Sequence, residues 1–481
     1  MSDAGPVSPT PLKVPWLEVF GAALIAVLHA VILSGRLHPD EVYQSLEPAL
    51  NKAFGYGYLA WEWLVPPHPA RALQPWGIRN WAVPTVFSWL LQAAHALGID
   101  SVWGRRVAVA LPQWALHAAM LAAVWRFSAR RVGPKLARAC LWLTALYAPV
   151  VWFAGRTMSE AFSVAFLVWG LERLDDVEDT RWHQALLAGV LLGCAQITRY
   201  GSAAVILPVM LWLLATRRWR TFALCTAGGL VTALFLGLLD KATWGEWFHS
   251  FRAYVDYNVL SGQAARSFGA LPGWYYFQRL FLAPWAVLGL LLWKWNKPAR
   301  SWLFVVGAVG YFAVISWTSH KEDRFLYPTL VLLSVAGTPA FVDWLWRRRM
   351  DRTPRALAAI AALAGVAFFV FANPFAPQRK EQFQLERKAS AEATGLVIMN
   401  EGVWGAGGFF YVGGNKPWCT CDFPYEPCFQ MAARDPRFNR GLYWSGGPAE
   451  AERDANSLAA FQAAGFRVVE VRGQATLLAR P

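Results

Sequence analysis

Apolar runs of about 17–25 residues, the length that crosses the hydrocarbon core of a bilayer, recur along this chain and constrain its fold more than any other feature. With a few shorter ones they fall at roughly 17–34, 107–126, 139–154, 159–172, 184–198, 202–216, 221–239, 280–294, 301–318, 326–346 and 356–373. The shortest are those at 139–154, 159–172 and 184–198. A soluble enzyme of 481 residues would carry more charge than the 16% found here, and 56% of the residues are hydrophobic. In lipid each backbone polar group must be satisfied within its own segment, so such runs are helices. The expectation is an all-α polytopic membrane protein with about 11 transmembrane helices.

A formal net charge of +14 raises nucleic acid as a partner. The basic residues, however, sit in short loops: WRFSARRVGPKLAR, ATRRWR, KWNKPAR and WRRRMDRTPR. With the N-terminus inside, all four fall on one side, as the positive-inside rule requires, and no nucleic-acid partner is expected. The acidic loop LERLDDVEDTRW falls on that side too. MSDAGPVSPTPLKVP is polar and Pro-rich and lacks a cleavable-signal pattern. Residues 1–15 therefore read as a flexible cytosolic tail before a retained first helix, with membrane lipids surrounding the helical segments beyond it.

The opposite side receives 36–106, 240–279, SHKEDR and everything after Asn373. Segment 36–106 holds Trp61, Trp63, Trp76, Trp81, Trp89 and Trp103. Within it PTVFSWLLQAAHALG has an apolar face through Phe87, Leu90, Leu91 and Ala94, the pattern of a helix lying in the membrane interface. Residues 16–375 form the expected membrane domain and 376–481 a small extracytoplasmic α/β domain. In the latter, LVIMN and GFRVVEVRG read as strands with a helix, PAEAERDANSLAAFQAAG, between them. Cys419, Cys421 and Cys428 allow one disulfide at most among themselves, and their spacing is a poor zinc match.

LHPDEVYQSLEPAL places Asp40 and Glu41 in a first helical turn at the outer end of the first span, where carboxylates complement the helix dipole. Two adjacent helical residues point about 100° apart, so one can face a site while the other orients or caps. Far along the chain SHKEDRFLYP puts His320, Lys321 and Arg324 at a span's end on the same side. Snorkelling explains one such cation, not a cluster of both signs. A carboxylate facing cations at membrane level suits transfer of a group from a lipid phosphate. The base takes a hydroxyl proton, and fixed positive charge holds the departing phosphate. Adjacent carboxylates can also bind a divalent metal, but no His/Asp/Glu triad stands at coordinating spacing, and no cofactor is expected. A lipid-linked-sugar carrier would instead bury charges at mid-membrane.

Eight motifs occur in the order found in glycosyltransferase family 22, which this chain resembles over about residues 15–345. HPDEVYQSLEPA, LAWEW, GIRNWAVP, GRTMSEAF, TRYGSA and DKATWGEW are followed by YNVLSGQAARSFGALPGWYY and HKEDRFLYP. The resemblance implies a GT-C fold and an inverting mannosyltransferase. Its donor would be a polyprenyl-phosphate-linked mannose of the dolichol-phosphate-mannose type, its acceptor a glycan or glycolipid hydroxyl, its product an α-mannoside. A GT-C transferase of another polyprenyl-phosphate-linked sugar is the alternative. Carried over by motif, Asp40 is the base, with Glu41 the alternative. His320, Lys321 and Arg324 hold the donor phosphate, assisted by Arg199. Glu62, Arg79, Tyr254 and Asn258 contact the sugar or the acceptor. The lack of any Asn-x-Ser/Thr sequon points to a bacterial inner membrane with a periplasmic site; in a eukaryote the same topology means the lumenal face of the endoplasmic reticulum.

Overall fold

The computed structural model describes residues 13–32, 35–64, 76–175, 181–282, 284–292, 302–347, 378–421 and 427–481. The expected span at 356–373 lies outside this set, as do residues 33–34 of the one at 17–34, 283 and 293–294 of the one at 280–294, and 301 of the one at 301–318. Helices dominate. α1 (Trp16–Ile32) packs on the long α4 (Val102–Ala145), and α4 packs in turn on α6 (Ser159–Leu174). α7 (Trp182–Thr198), α8 (Ala203–Ala215), α9 (Trp219–Trp244), α13 (Trp302–Trp317) and α14 (Tyr327–Arg347) complete the bundle. Three helical segments among the described residues are long and apolar enough to cross a bilayer: 102–145, 219–244 and 323–347; those at 16–32, 200–215 and 302–317 are shorter. α9 leaves Leu230, Val231, Leu234, Phe235 and Leu238 more than half exposed along its length. A contiguous apolar surface of this kind faces lipid.

α7 and α9 lie against each other through small residues: a Cβ on Gly189 would meet the Cys225 carbonyl oxygen, and one on Gly228 that of Leu186. Dispersion contacts between closely spaced backbones, rather than the hydrophobic effect, hold such pairs in lipid. α4 is broken at Gly133, whose φ of 80° is left-handed and suits a residue without Cβ. The run expected at 139–154 is not one continuous helix. Tyr147 is extended and Pro149, lacking an N–H, sits in the first turn of a separate short helix, Ala148–Phe153. Two acids of the expected acidic loop are paired: Arg126 and Arg130 with Glu172, and Arg131 with Asp175; residues 176–180 of it lie outside the described set.

The segment expected to be the first outer one begins with a π-helical turn, Glu41–Leu46, running directly into α2 (Glu47–Phe54). α3 (Ala82–Ala96) turns Phe87, Leu91 and Ala94 inward against the protein and leaves Val86, Trp89 and Leu97 outward, so its apolar stripe serves packing as well as the interface.

Beyond residue 378 the chain forms a helix, Lys380–Ser390, and a five-stranded sheet ordered β2-β1-β3-β5-β4. β1 (Leu396–Met399) runs parallel to β2 (Trp418–Cys421) and β3 (Arg440–Trp444); β5 (Ala475–Ala479) is antiparallel to β3 and to β4 (Arg467–Arg472). The helix expected before β4 is present at Ala451–Ala463. Cys419 and Cys428 are joined in a disulfide. Backbone hydrogen bonds between Arg36 and Gln378 tie the start of this region to the residues just before Asp40.

Candidate functional site

His38, Pro39 and Asp40 leave α1 and enter the π-helical turn. The wider turn settles which of the two adjacent carboxylates faces outward. Asp40 looks into a cavity of about 380 Å³. Glu41 is buried, accepts the Leu37 N–H and lies 3.6 Å from the buried Arg156. Glu41 thus braces the turn, and the pair does not share a ligand position.

The turn Asp323–Leu326 brings Arg324 to the same cavity from the start of α14. An Arg324 terminal nitrogen donates to Asp40 Oδ2 at 2.7 Å, and Arg324 Nε to Glu322 Oε2 at 2.6 Å. Its guanidinium also lies 3.7 Å from Glu160. Residues 284 apart in sequence therefore meet. His38 bridges the arrangement, with Nδ1 3.0 Å from Asp40 and Nε2 3.3 Å from Glu322. Burial pushes the Asp40 carboxyl up, but Arg324 and His38 outweigh it and hold it well below the usual carboxylate range. Glu322 behaves alike: burial raises it, while Arg324 and the hydrogen bond from His320 bring it far down.

The other expected residues divide. His320 lines the cavity and lies 2.9 Å from Glu322. Arg199, just past the end of α7, lines it too, bound to Glu160 and Ser159 at 2.9 Å each. Lys321 differs from expectation. Its buried Nζ donates to the carbonyls of Ile315 (3.1 Å), Ser316 (2.7 Å) and Thr318, closing the C-terminal end of α13, where a cation complements the helix dipole. Burial lowers its pKa. Glu62, Arg79, Tyr254 and Asn258 all line the cavity. Glu62 is locked by Arg79 at 2.7 Å and Gln44 at 3.0 Å; burial raises its pKa more than Arg79 lowers it.

Sequence reasoning missed four contributors. His38 and Glu322 stand inside the recognised motifs, and their mixed charge was the available signal. Glu160 lies in GRTMSEAF, where one acid in an apolar helix was a signal of the same kind. Trp404 comes from the C-terminal region and also lines the cavity; nothing local in EGVWGAGG announces it. Four carboxylates (Asp40, Glu62, Glu160, Glu322) thus meet three guanidiniums (Arg79, Arg199, Arg324), and each guanidinium is already paired.

Among curated proteins, GPI mannosyltransferase 3 of Yarrowia lipolytica is 29% identical over 328 residues, covering 67% of this chain and 61% of the relative. GPI alpha-1,2-mannosyltransferase 3 of Homo sapiens is 25% identical over 332 residues, covering 66% and 55%. The match thus spans about six-tenths of the relatives' own length. Among solved structures, ArnT from Cupriavidus metallidurans bound to undecaprenyl phosphate superposes with a TM-score of 0.60 at 14% identity, covering 97% of this chain and 98% of that one. The oligosaccharyltransferase of Archaeoglobus fulgidus gives 0.50 at 11% identity, covering 89% and 68%. At these identities the likeness establishes a shared GT-C architecture, and the protein is an integral membrane protein. Since residues 18–384 match the model of the Alg9-like mannosyltransferases, the chain belongs to that family.

Proposed function

We propose that this protein is an inverting mannosyltransferase that moves mannose from a polyprenyl-phosphate-linked donor to a hydroxyl of a glycan or glycolipid on the extracytoplasmic face, forming an α-mannoside. The observation that carries the reading is the 2.7 Å contact between Asp40 and Arg324 in a shared cavity. The family membership and the undecaprenyl phosphate of the ArnT structure support the donor class.

Asp40 receives the proton of the acceptor hydroxyl as its oxygen bonds to the mannose anomeric carbon. The bond from that carbon to the phosphate oxygen breaks, and the electron pair leaves with the polyprenyl phosphate. Arg324, Arg199 and His320 face the charge that develops there, and no general acid is needed for this leaving group. At rest Arg324 is spent on Asp40 and Glu322. A donor phosphate competes for it, and an Asp40 that loses its guanidinium gains proton affinity. Donor binding thereby makes the base stronger at the moment it is used. Glu62, held by Arg79 and Gln44, stands ready for sugar hydroxyls beside Tyr254 and Asn258.

The sidedness rests on two observations. The disulfide Cys419–Cys428 belongs to an oxidising compartment, and its sheet shares a cavity with Asp40 through Trp404. The 16-residue α6 carries Glu160 at the site end and Glu172 near the other, about 20 Å away, beside the basic loop. The positive-inside rule puts that loop in the cytosol. About 11 spans within residues 16–375 and an outer domain from 376 complete the reading.

The test is transfer by the purified protein from polyprenyl-phosphate mannose, run beside the glucose and galactose donors. Asp40→Asn is expected to lower kcat by about 10²–10⁴ with the fold intact. Near-normal turnover in that variant, or preference for another sugar, would overturn the reading.

A further inference from the structure

The motifs GIRNWAVP, TRYGSA and DKATWGEW supply Asn80, Tyr200 and Asp240, none of which has a part in the transfer described so far. Asn80 directly follows Arg79, and Tyr200 directly follows Arg199, so each is the chain neighbour of a cavity guanidinium. The fold brings the two neighbours together: Asn80 Nδ2 lies 3.0 Å from the Tyr200 hydroxyl oxygen. Both line a small annex of about 50 Å³ that shares Gln44, Arg79, Ser159 and Arg199 with the larger cavity.

The direction of each hydrogen bond behind this pair follows from the atoms available. Asp240 and Ser250 are fully buried. The Ser250 N–H donates to Asp240 Oδ2 at 2.9 Å, and the Ser250 hydroxyl donates to the same oxygen at 2.6 Å. That uses the one hydroxyl hydrogen of Ser250, so the hydrogen between Tyr200 and Ser250 comes from Tyr200. The Tyr200 oxygen in turn accepts from Asn80 Nδ2. Asn80 Oδ1 accepts the Ala82 N–H at 3.1 Å, which fixes the way the amide faces, and Nδ2 also donates to the Ile197 carbonyl at 2.8 Å. Every hydrogen from Asn80 to Ser250 therefore points toward Asp240. Asp240 and Trp244 are four residues apart on α9 and share one face. Trp244 Nε1 donates to the Arg79 carbonyl at 3.0 Å. The end of α9 thus holds the chain at both arginines, at Arg79 through Trp244 and beside Arg199 through Ser250 and Tyr200. A buried polar network with its members satisfied in series specifies one geometry.

We propose that Tyr200 and Asp240 are positioning residues for glycosyl transfer, which set the aim of the Arg199 guanidinium in the cavity without touching substrate. This rests on the mannosyltransferase reading. A guanidinium is a planar fork whose donors work only when aimed, whereas an ammonium is a point charge. Misplacing a group at a reacting centre by about 1 Å can cost about 10²-fold in rate. Arg199 lies 2.9 Å from both Glu160 and Ser159, so its fork has no slack on the α6 side, and the relay fixes it from the chain side. The Tyr200 ring also packs edge-on against Tyr254, a cavity residue, at 5.1 Å, and this contact does not need the hydroxyl.

The experiment uses the full-length protein, polyprenyl-phosphate mannose as donor and methyl α-mannoside as acceptor; where that acceptor is not used, donor hydrolysis is read in its place. Tyr200→Phe keeps the ring and removes the link. It is expected to lower kcat by about tenfold or more, with the KM for donor within about twofold. Asp240→Asn is expected to show a like loss, and the double variant to lose no more than about twofold beyond the larger single loss, as members of one relay do. The decisive comparison is an Arg199→Lys background, whose ammonium has no fork to aim; there Tyr200→Phe is expected to cost less than about twofold. A role in the fold alone would cost the same in both backgrounds, and that outcome overturns the proposal. So does a Tyr200→Phe protein with the wild-type kcat. If Asp240→Asn does not fold, Ser250→Ala breaks the same relay and is read in the same way. A wild type that neither transfers nor hydrolyses the donor defeats the mannosyltransferase reading instead.

Discussion

Replacing Arg324 with alanine removes the group on which the site's electrostatics turn. Its guanidinium, 12% exposed, makes the 2.7 Å contact to Asp40 and the 2.6 Å contact to Glu322. Removing one partner of a buried pair costs about 3–5 kcal/mol. Asp40 and Glu322 keep 20% and 24% exposure, so water reaches them and the lower end, about 3 kcal/mol, applies here. The catalytic loss is separate. One fixed charge or donor aimed at developing charge is commonly worth about 10²–10³ in kcat. The pH dependence is the sharper readout. With Arg324 present, both carboxylates lie below their ordinary range, so they stabilise the fold at neutral pH and lose that contribution only as pH falls below about 4. Without it, burial and mutual repulsion push both upward. The acid limb of kcat/KM is then expected to move to higher pH, and thermal stability to begin falling at a higher pH than in the wild type. Scanning fluorimetry and initial rates between pH 4 and pH 8 measure both, and Arg324→Lys should restore charge but not the two-sided geometry. An Arg324→Ala protein with the wild-type acid limb and less than tenfold loss of rate would refute the reasoning.

Burial pushes Glu47 and Glu386 up to about 7 against the backbone N–H groups that pull them down. The folded state therefore holds protons that the unfolded chain has lost above about 4.5. Their stabilisation of residues 403–412, whose Phe410 and Gly407 N–H groups donate to them, is complete below that pH and is lost as pH rises to about 7, on the order of 3 kcal/mol for Glu47 alone. Protection factors at 403–412, taken relative to the intrinsic exchange rate at each pH, should be lower at pH 8 than at pH 5, and Glu47→Gln should flatten the difference; wild-type protection factors that do not change with pH rule this out. Lys321→Met is expected to lower thermal stability through the uncapped end of α13 and to leave the KM for donor lipid within about twofold. A tenfold rise in that KM would return Lys321 to the phosphate site.

The parts of the site that are legible in sequence are those whose chemistry is local. Asp40 and Arg324 each sit in a short charged motif at the end of an apolar run, and both signals survive without knowing what they touch. Which of Asp40 and Glu41 faces the cavity depends on a π-helical turn, a backbone choice with no strong residue signature. Lys321 reads as a phosphate ligand because the three carbonyls that claim it belong to a helix end whose position pattern alone leaves uncertain. Gly133 and Pro149 mark breaks in plain sight, yet only the first falls between expected spans. Strands β2 (WCTC), β3 (RGLYW) and β5 (ATLLA) escape notice because they carry neither the unbroken run of large aliphatics that marks β1 nor a clear alternation. Trp404 is invisible for a deeper reason: it reaches the cavity only through the fold, and 364 residues separate it from Asp40.

The arrangement of the C-terminal sheet also bears on when in synthesis the cavity's surroundings are complete. β5 lies inside the sheet, between β3 and β4, although it is the last of the five strands to leave the ribosome. A nascent chain that already holds Asp40 and Arg324 still lacks the strand that closes the sheet beside Trp404. A chain released before Ala475 would expose its charged cavity without a finished rim. The layer beside Trp404 is therefore complete only once β5 has been made.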